Sequence, residues 1–309
     1  GDDMRERIKN FEQLEYLAAS QPKQSVALAA ANSEEALLAA EYARKKGIID
    51  VELVGDQKTI QDVFSKNGIS LQNYELTDVR EPKEAAEKAV ALVREGKAQL
   101  LMKGLVETSD FLKAVMNREN GLRGEDRMCA LVLIECAAVD KLLILGDVGT
   151  NIAPDTAAKA SILESCFLVA RAMGIENPKA AVLCANEHVK ESMPCTVEAA
   201  QLAEMSKRGE ISGLVEGPVS MDIAVNAHAA QIKKYTGAIQ GDADILLVPD
   251  LEAGNILIKG LMYLSGDIRV AGVGMGAKVP LIQTSRGDDH NTKYYSIVLS
   301  ALVSQYLQA

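Results

Sequence analysis

Apolar runs of strand length alternate with segments of helical period along almost the whole chain, and few arrangements tolerate that pattern. The runs at 25–31, 51–55, 99–102, 180–184 and 244–248 are apolar or nearly so throughout. Strands buried on both faces read this way, whereas half-exposed ones alternate. Helical segments lie between them. Asn32-Ser33-Glu34-Glu35 opens one that Gly47 closes, 57–66 and 84–95 are two more, and Asp155 caps a long one that Gly174 ends. Strand–helix–strand units with short links imply mainly parallel sheets covered by helices, an α/β class of three layers. One hairpin interrupts the pattern, because 129–135 and 142–145 are separated only by a short link around Ala138-Val139-Asp140-Lys141.

A chain of 309 residues is long for one core, so two domains are expected. The polar run 120–127 reads as the first crossing between them. The cluster Gly272-Val273-Gly274-Met275-Gly276 precedes the return, giving 1–127 with 277–309 as a discontinuous first domain and 128–276 as the second. Those glycines do not make a dinucleotide fingerprint, since Pro280 follows and no helix opens after them. Gly274 and Gly276 are read instead as a hinge-like turn that lets backbone approach a ligand.

Charge and residue usage narrow the function. A formal net charge of −10 argues against a nucleic-acid surface, which takes clustered Lys and Arg. The five cysteines are odd in number and show no CxxC, and the three histidines, His188, His228 and His290, lack ligand spacing. Free thiols in a reducing compartment and no transition metal are expected. Met4-Arg5-Glu6-Arg7 leads into charged amphipathic sequence and not into a secretory leader. The longest apolar region, 128–146, is broken by Glu135, Asp140 and Lys141 and cannot span a bilayer. A soluble, cytoplasmic protein without membrane or nucleic-acid partners is expected.

The densest chemistry lies between the last apolar run, 279–282, and the C-terminal helix. There Thr284-Ser285-Arg286-Gly287-Asp288-Asp289 places a hydroxyl, a guanidinium fork and two carboxylates ahead of a helix N-terminus, a natural anion site. The same residues also fit a loop whose Asp caps the helix while Arg286 pairs with an acid. Other strands end in comparable loops. Lys103-Gly104 with Thr108 follows one, Asp147 with Asn151 a second, Glu216-Gly217-Pro218 with Asp222 a third, and Asp250 with Gly254 and Asn255 a fourth. Loops after the carboxyl ends of parallel strands lie along one edge and line a cleft.

Taken together and in this order, Met102-Lys103-Gly104 with Thr108, Gly146-Asp147 with Asn151 and Pro154, Glu216-Gly217-Pro218 with Asp222, Pro249-Asp250 with Ala253-Gly254-Asn255, and Thr284-Ser285-Arg286 with Asp288 resemble the phosphate acetyl/butyryl transferase family. The butyryl branch is the nearer, and the match spans roughly 102–296. The resemblance implies two α/β domains around a central cleft, the fold of isocitrate and isopropylmalate dehydrogenases, and a homodimer. It also implies exchange of phosphate and coenzyme A on a short-chain acyl group, with acyl-CoA and inorganic phosphate as substrates and no tightly bound cofactor. On that resemblance Ser285, Arg286 and Asp288 are catalytic. Lys103, Gly104, Thr108, Asp147, Asn151, Gly217, Pro218, Asp222, Asp250, Gly254, Asn255, Gly274 and Gly276 bind phosphate or CoA.

One departure concerns the base. The carboxylate of the acetyl branch falls here on Thr292, so Asp288, with Asp289 as the alternative, takes the thiol proton. Three other readings are weighed: phosphate acetyltransferase, a metal- and NAD-dependent decarboxylating dehydrogenase using Asp222 and Asp250 as ligands, and a catalytically silent CoA-binding protein.

Overall fold

The computed structural model describes residues 7–285 and 287–309. The chain divides into two compact units: Leu14–Asp126 with Ala271–Ala309, and 7–13 with Arg127–Val270. The first is called the terminal unit and the second the central unit.

The terminal unit opens with α1 (Phe11–Ser20), which begins in the central unit, and continues β1 (Gln24–Ala29), α2 (Glu34–Lys45), β2 (Ile49–Gly55), α3 (Gln57–Lys66), β3 (Glu75–Asp78), α4 (Pro82–Arg94), β4 (Leu100–Lys103) and α5 (Thr108–Met116). The central unit then contributes β5 (Cys129–Cys136), β6 (Leu143–Gly146), α6 (Thr156–Ala172), β7 (Lys179–Leu183), α7 (Pro194–Lys207), β8 (Leu214–Val219), α8 (Met221–Val225), α9 (Ala227–Ile232), β9 (Ile245–Leu247) and α10 (Leu251–Leu264). A strand crossing the boundary, β10 (Ile268–Met275), leads to β11 (Leu281–Ile282) and the last helix, α11 (His290–Gln308).

In the terminal unit the strand order is β3-β2-β1-β4-β11-β10, parallel except for β10 against β11. Val26, Ala27, Leu28 and Ala29 of β1 are all wholly buried, as a strand covered on both faces requires. The longest helix, α11, is buried around nearly its whole circumference from Lys293 to Gln305, so it serves as a core element. In the central unit the order is β5-β6-β9-β7-β8. β5 and β6 form the antiparallel hairpin, and β6, β9, β7 and β8 are parallel.

Two expectations need correction. The first thirteen residues, expected with the terminal unit, sit in their described part on the central one. Arg7 pairs with Asp244, Ile8 N–H donates to Met173 O at 3.3 Å, and Phe11 N–H donates to Glu135 Oε2 at 3.2 Å. The glycine cluster is not a hinge-like turn, because Gly272 and Gly274 lie inside β10. A Cβ at Gly274 would stand 3.0 Å from that of Leu281, its antiparallel partner, so close interstrand approach explains the residue. Gly276 alone turns, with φ +98°. Among the described residues no helix is long and apolar enough to cross a membrane.

Where β4 ends, Gly104 N–H donates to Ala29 O and Leu105 N–H to Ala30 O, each at 2.8 Å. A Cβ on Gly104 would run into both carbonyl oxygens. Gly104→Ala should therefore destabilise the fold by about 1–3 kcal/mol, the usual cost of overpacking. Urea denaturation checks this, and an unchanged midpoint would show that the strand end can give way.

Candidate active site

Because β1, β4 and β11 run parallel, their carboxyl ends share one edge of the terminal unit. Asn32-Ser33 leads from β1 into α2, Lys103-Gly104 closes β4, and Thr284-Ser285 leads from β11 toward α11. A cavity of about 390 Å³ opens among them, lined by Ser33, Glu35, Lys103, Gly104, Ser285 and Lys293 along with their neighbours. Two of its walls come from chain segments some 180 residues apart, joined by the register Leu281↔Leu101 and Ile282↔Met102.

The turn after β11 is closed by its own polar groups. Ser285 N–H donates to Asp288 Oδ2 at 2.8 Å, Asp288 N–H to Ser285 O at 3.1 Å, and Gly287 N–H to Ser285 Oγ at 3.1 Å. Asp289 is the N-cap of α11, accepting from Thr292 N–H at 2.8 Å. The two candidate bases are thus separated by role: Asp289 caps, while Asp288 is tied to the backbone of the serine. Arg286 lies outside the described residues. Thr108 starts α5 as an exposed residue and is not among those lining the cavity.

Lys293 and Glu35, which no sequence motif marks as site residues, also line the cavity. Lys293 lies in the first turn of α11 with its side chain 7% exposed, and its Nζ stands 3.1 Å from Glu35 Oε2 in the first turn of α2. The available signal was a lysine in the first turn of a helix, where a cation opposes the dipole.

In the central unit the predicted residues mainly shape their own loops. Asp147, 3% exposed, receives Ala130, Gly149 and Thr150 N–H on Oδ1 at 3.0–3.2 Å. Its Oδ2 receives the backbone N–H and the side-chain amide of Asn151, both at 2.6 Å. The Asn151 amide also donates to Met128 O at 2.9 Å. Asp250 caps α10 through Ala253 N–H at 2.8 Å, and Asn255 donates to Val148 O at 3.3 Å. Gly254 admits the Asp147 carbonyl, which would lie 2.7 Å from a Cβ there.

Gly217 and Pro218, expected in a loop, lie inside β8, which runs through them to Val219. The strand is at the edge of its sheet and its register shifts opposite Ala181 and Leu183, which tolerates a residue without an N–H. A Cβ on Gly217 would meet those of Val182 and Ala199 at 2.8 and 2.9 Å, so the glycine serves packing. Asp222 accepts from Ser220 Oγ at 2.6 Å and pairs with Lys233 at 2.8 Å. The lysine first, then the serine hydroxyl, lower its pKa from 3.8 to about 2. This pair therefore supports folding above pH 3.8 and loses that support as pH falls toward 2. Asp222 and Asp250, the metal ligands of the dehydrogenase reading, are both held by these contacts.

The phosphate acetyl/butaryl transferase family model matches residues 79–301. The chain belongs to that family. A phosphate butyryltransferase from Clostridium acetobutylicum is 42% identical over 96% of this chain and 99% of its own length. A branched-chain phosphotransacylase from Enterococcus faecalis V583 has TM-score 0.81 and 31% identity, covering 91% of this chain and 99% of that one. A 4-hydroxythreonine-4-phosphate dehydrogenase from Klebsiella pneumoniae, with TM-score 0.59, 13% identity and coverage of 91% and 99%, shares the fold alone. This member of the family therefore has the dehydrogenase-like α/β architecture its sequence implied.

The Asp147 network is the part of the central unit most exposed to a one-atom change. An Asn side chain would turn an N–H₂ toward donors that now share a carboxylate. Asp147→Asn should cost about 2–4 kcal/mol of stability. Chemical denaturation measures it, and a native midpoint would show that the loop holds its shape without the charge.

Proposed function

We propose that this chain is a phosphate acyltransferase moving a short-chain acyl group, butyryl or branched, between coenzyme A and inorganic phosphate: acyl-CoA + phosphate ⇌ acyl phosphate + CoA. The observation that carries the reading is the cavity at the carboxyl edge of the terminal unit, where Lys103 and Ser285 line one space beside the N-terminus of α2. A hydroxyl, an ammonium and helix N–H groups suit a phosphate. Family membership and 42% identity to a phosphate butyryltransferase support the acyl class.

In the direction of CoA acylation, Asp288 takes the proton from the CoA thiol and the sulfur attacks the acyl carbon of the acyl phosphate. Ser285 donates to the developing oxyanion, and phosphate departs toward Arg286 and Lys103, taking the proton from Asp288. In the other direction Asp288 takes the proton of hydrogen phosphate as its oxygen attacks the thioester carbon, and delivers it to the departing sulfur. The bond from Ser285 N–H to Asp288 Oδ2 keeps the oxyanion donor and the base in one turn. The enzyme works in the cytoplasm as a homodimer without a tightly bound cofactor. Exposed Ile256, Tyr263 and Leu264 on α10 support pairing.

The family covers acetyl and butyryl transfer, and one methylene in an apolar pocket discriminates by about 1–3 kcal/mol. Phosphate-dependent thiol release across acetyl-, propionyl-, butyryl- and isobutyryl-CoA should favour the four-carbon substrates by about tenfold or more. A preference for acetyl-CoA would reassign the acyl group. Asp288→Asn should lower kcat by about 10²–10⁴-fold and remove the limb of the pH–rate profile that reports the base. Asp289→Asn should keep that limb, since Asn caps a helix about as well as Asp. An unimpaired Asp288→Asn variant would move the base elsewhere. Arg286→Ala should raise KM for phosphate by about tenfold or more, the loss of a bidentate charge-assisted contact.

A further inference from the structure

We propose that Lys293 binds a phosphate dianion of the substrate, and that Glu35 is the carboxylate this dianion displaces. The assignment rests on the transferase reading above and adds a residue to its site.

Lys293 is badly placed for stability alone. Its side chain is only 7% exposed, so a charged residue is held mostly out of water. It stands in the first turn of α11, whose dipole repels a cation. Its carboxylate partner, Glu35, is 71% exposed and remains largely in water, so the pair, 3.1 Å apart, compensates only part of the burial. Glu35, in contrast, sits in the first turn of α2, where the dipole favours an acid.

These costs make sense if the ammonium serves an anion in the cavity it lines. Lys103 and Ser285 face the same space, and the Ser33-capped end of α2 opens onto it. A dianion there would meet two ammonium groups, a hydroxyl and a helix N-terminus, while Glu35 could swing into solvent at small cost. A strut between α2 and α11 is the competing account, and it predicts no effect on substrate affinity.

The test uses the purified full chain and its Lys293→Met, Lys293→Arg and Glu35→Gln variants in the thiol-release assay. Phosphate, butyryl-CoA and butyryl-dephospho-CoA are varied separately. Lys293→Met is expected to raise KM for phosphate by about tenfold with a smaller change in kcat, the size of one lost charge-assisted hydrogen bond. Lys293→Arg should recover part of the loss, and Glu35→Gln, which removes the competing carboxylate, should lower KM for phosphate by about two- to fivefold. A rise confined to KM for butyryl-CoA places the dianion on the CoA. If that rise disappears with the dephospho substrate, the 3′-phosphate is the group held, and if it persists, the pyrophosphate is. Unchanged KM values for all three substrates, with a lowered melting temperature, make the pair a strut and overturn the proposal. Should Lys293→Met fail to fold, Glu35→Gln decides: a lowered KM for phosphate or for butyryl-CoA supports the proposal, and KM values unchanged or raised for both overturn it. Should the native chain show no exchange with any acyl-CoA, the transferase reading fails separately. Thermal stabilisation by inorganic phosphate then judges the site: its loss in Lys293→Met supports the proposal and its retention refutes it.

Discussion

The pairing of β11 with β4 is the constraint on which the candidate site depends. β11 is only two residues long, yet both Leu281 and Ile282 are wholly buried and sit in parallel register with Leu101 and Met102. A two-residue strand contributes little hydrogen bonding of its own. Its place is held by the apolar space between β4, β10 and the buried α11. Because side chains alternate faces along a strand, a slip of one residue would turn Leu281 and Ile282 to the wrong sides. That register brings the Ser285 turn beside Lys103, and no contact local in sequence could do so.

The loops of the central unit follow a different logic. Asp147, Asp222 and Asp250 read as binding residues because a carboxylate after a strand is a common ligand. Each is largely occupied by nearby backbone N–H groups or by Lys233. A loop that must hold one shape needs its buried donors satisfied, and a carboxylate with several lone pairs does this over few residues. Motif residues can thus identify a family by fixing loop shape.

The sequence revealed what burial on both faces imposes. The apolar runs of β1, β6, β7 and β9 announce themselves, as do the caps Ser33 and Asp155 and the hairpin of β5 and β6. It concealed β3, whose Glu75-Leu76-Thr77-Asp78 carries no apolar run because it lies at a sheet edge and is partly exposed. It also concealed how far β8 extends, since Gly and Pro signal a loop unless an edge position and a register shift accommodate them. Within the candidate site, Lys103 and Ser285 were legible from their loops. Lys293 was not, because a lysine on a periodic segment reads as a solvated face and only the packing of α11 shows it buried.

Charge gives these placements a further meaning. The chain carries a net charge of −10, and phosphate and CoA are anions, so the long-range field opposes their approach. Attraction must therefore arise within a few ångströms, where desolvated cations act at low effective dielectric and salt screens them weakly. Lys103 at a strand end, the α2 N-terminus and the buried Lys293 are short-range sources of that kind, and Glu35 offsets one of them with a carboxylate that water can reclaim. A site assembled this way discriminates by fit and charge at contact, and it leaves the acidic exterior to keep other polyanions at a distance.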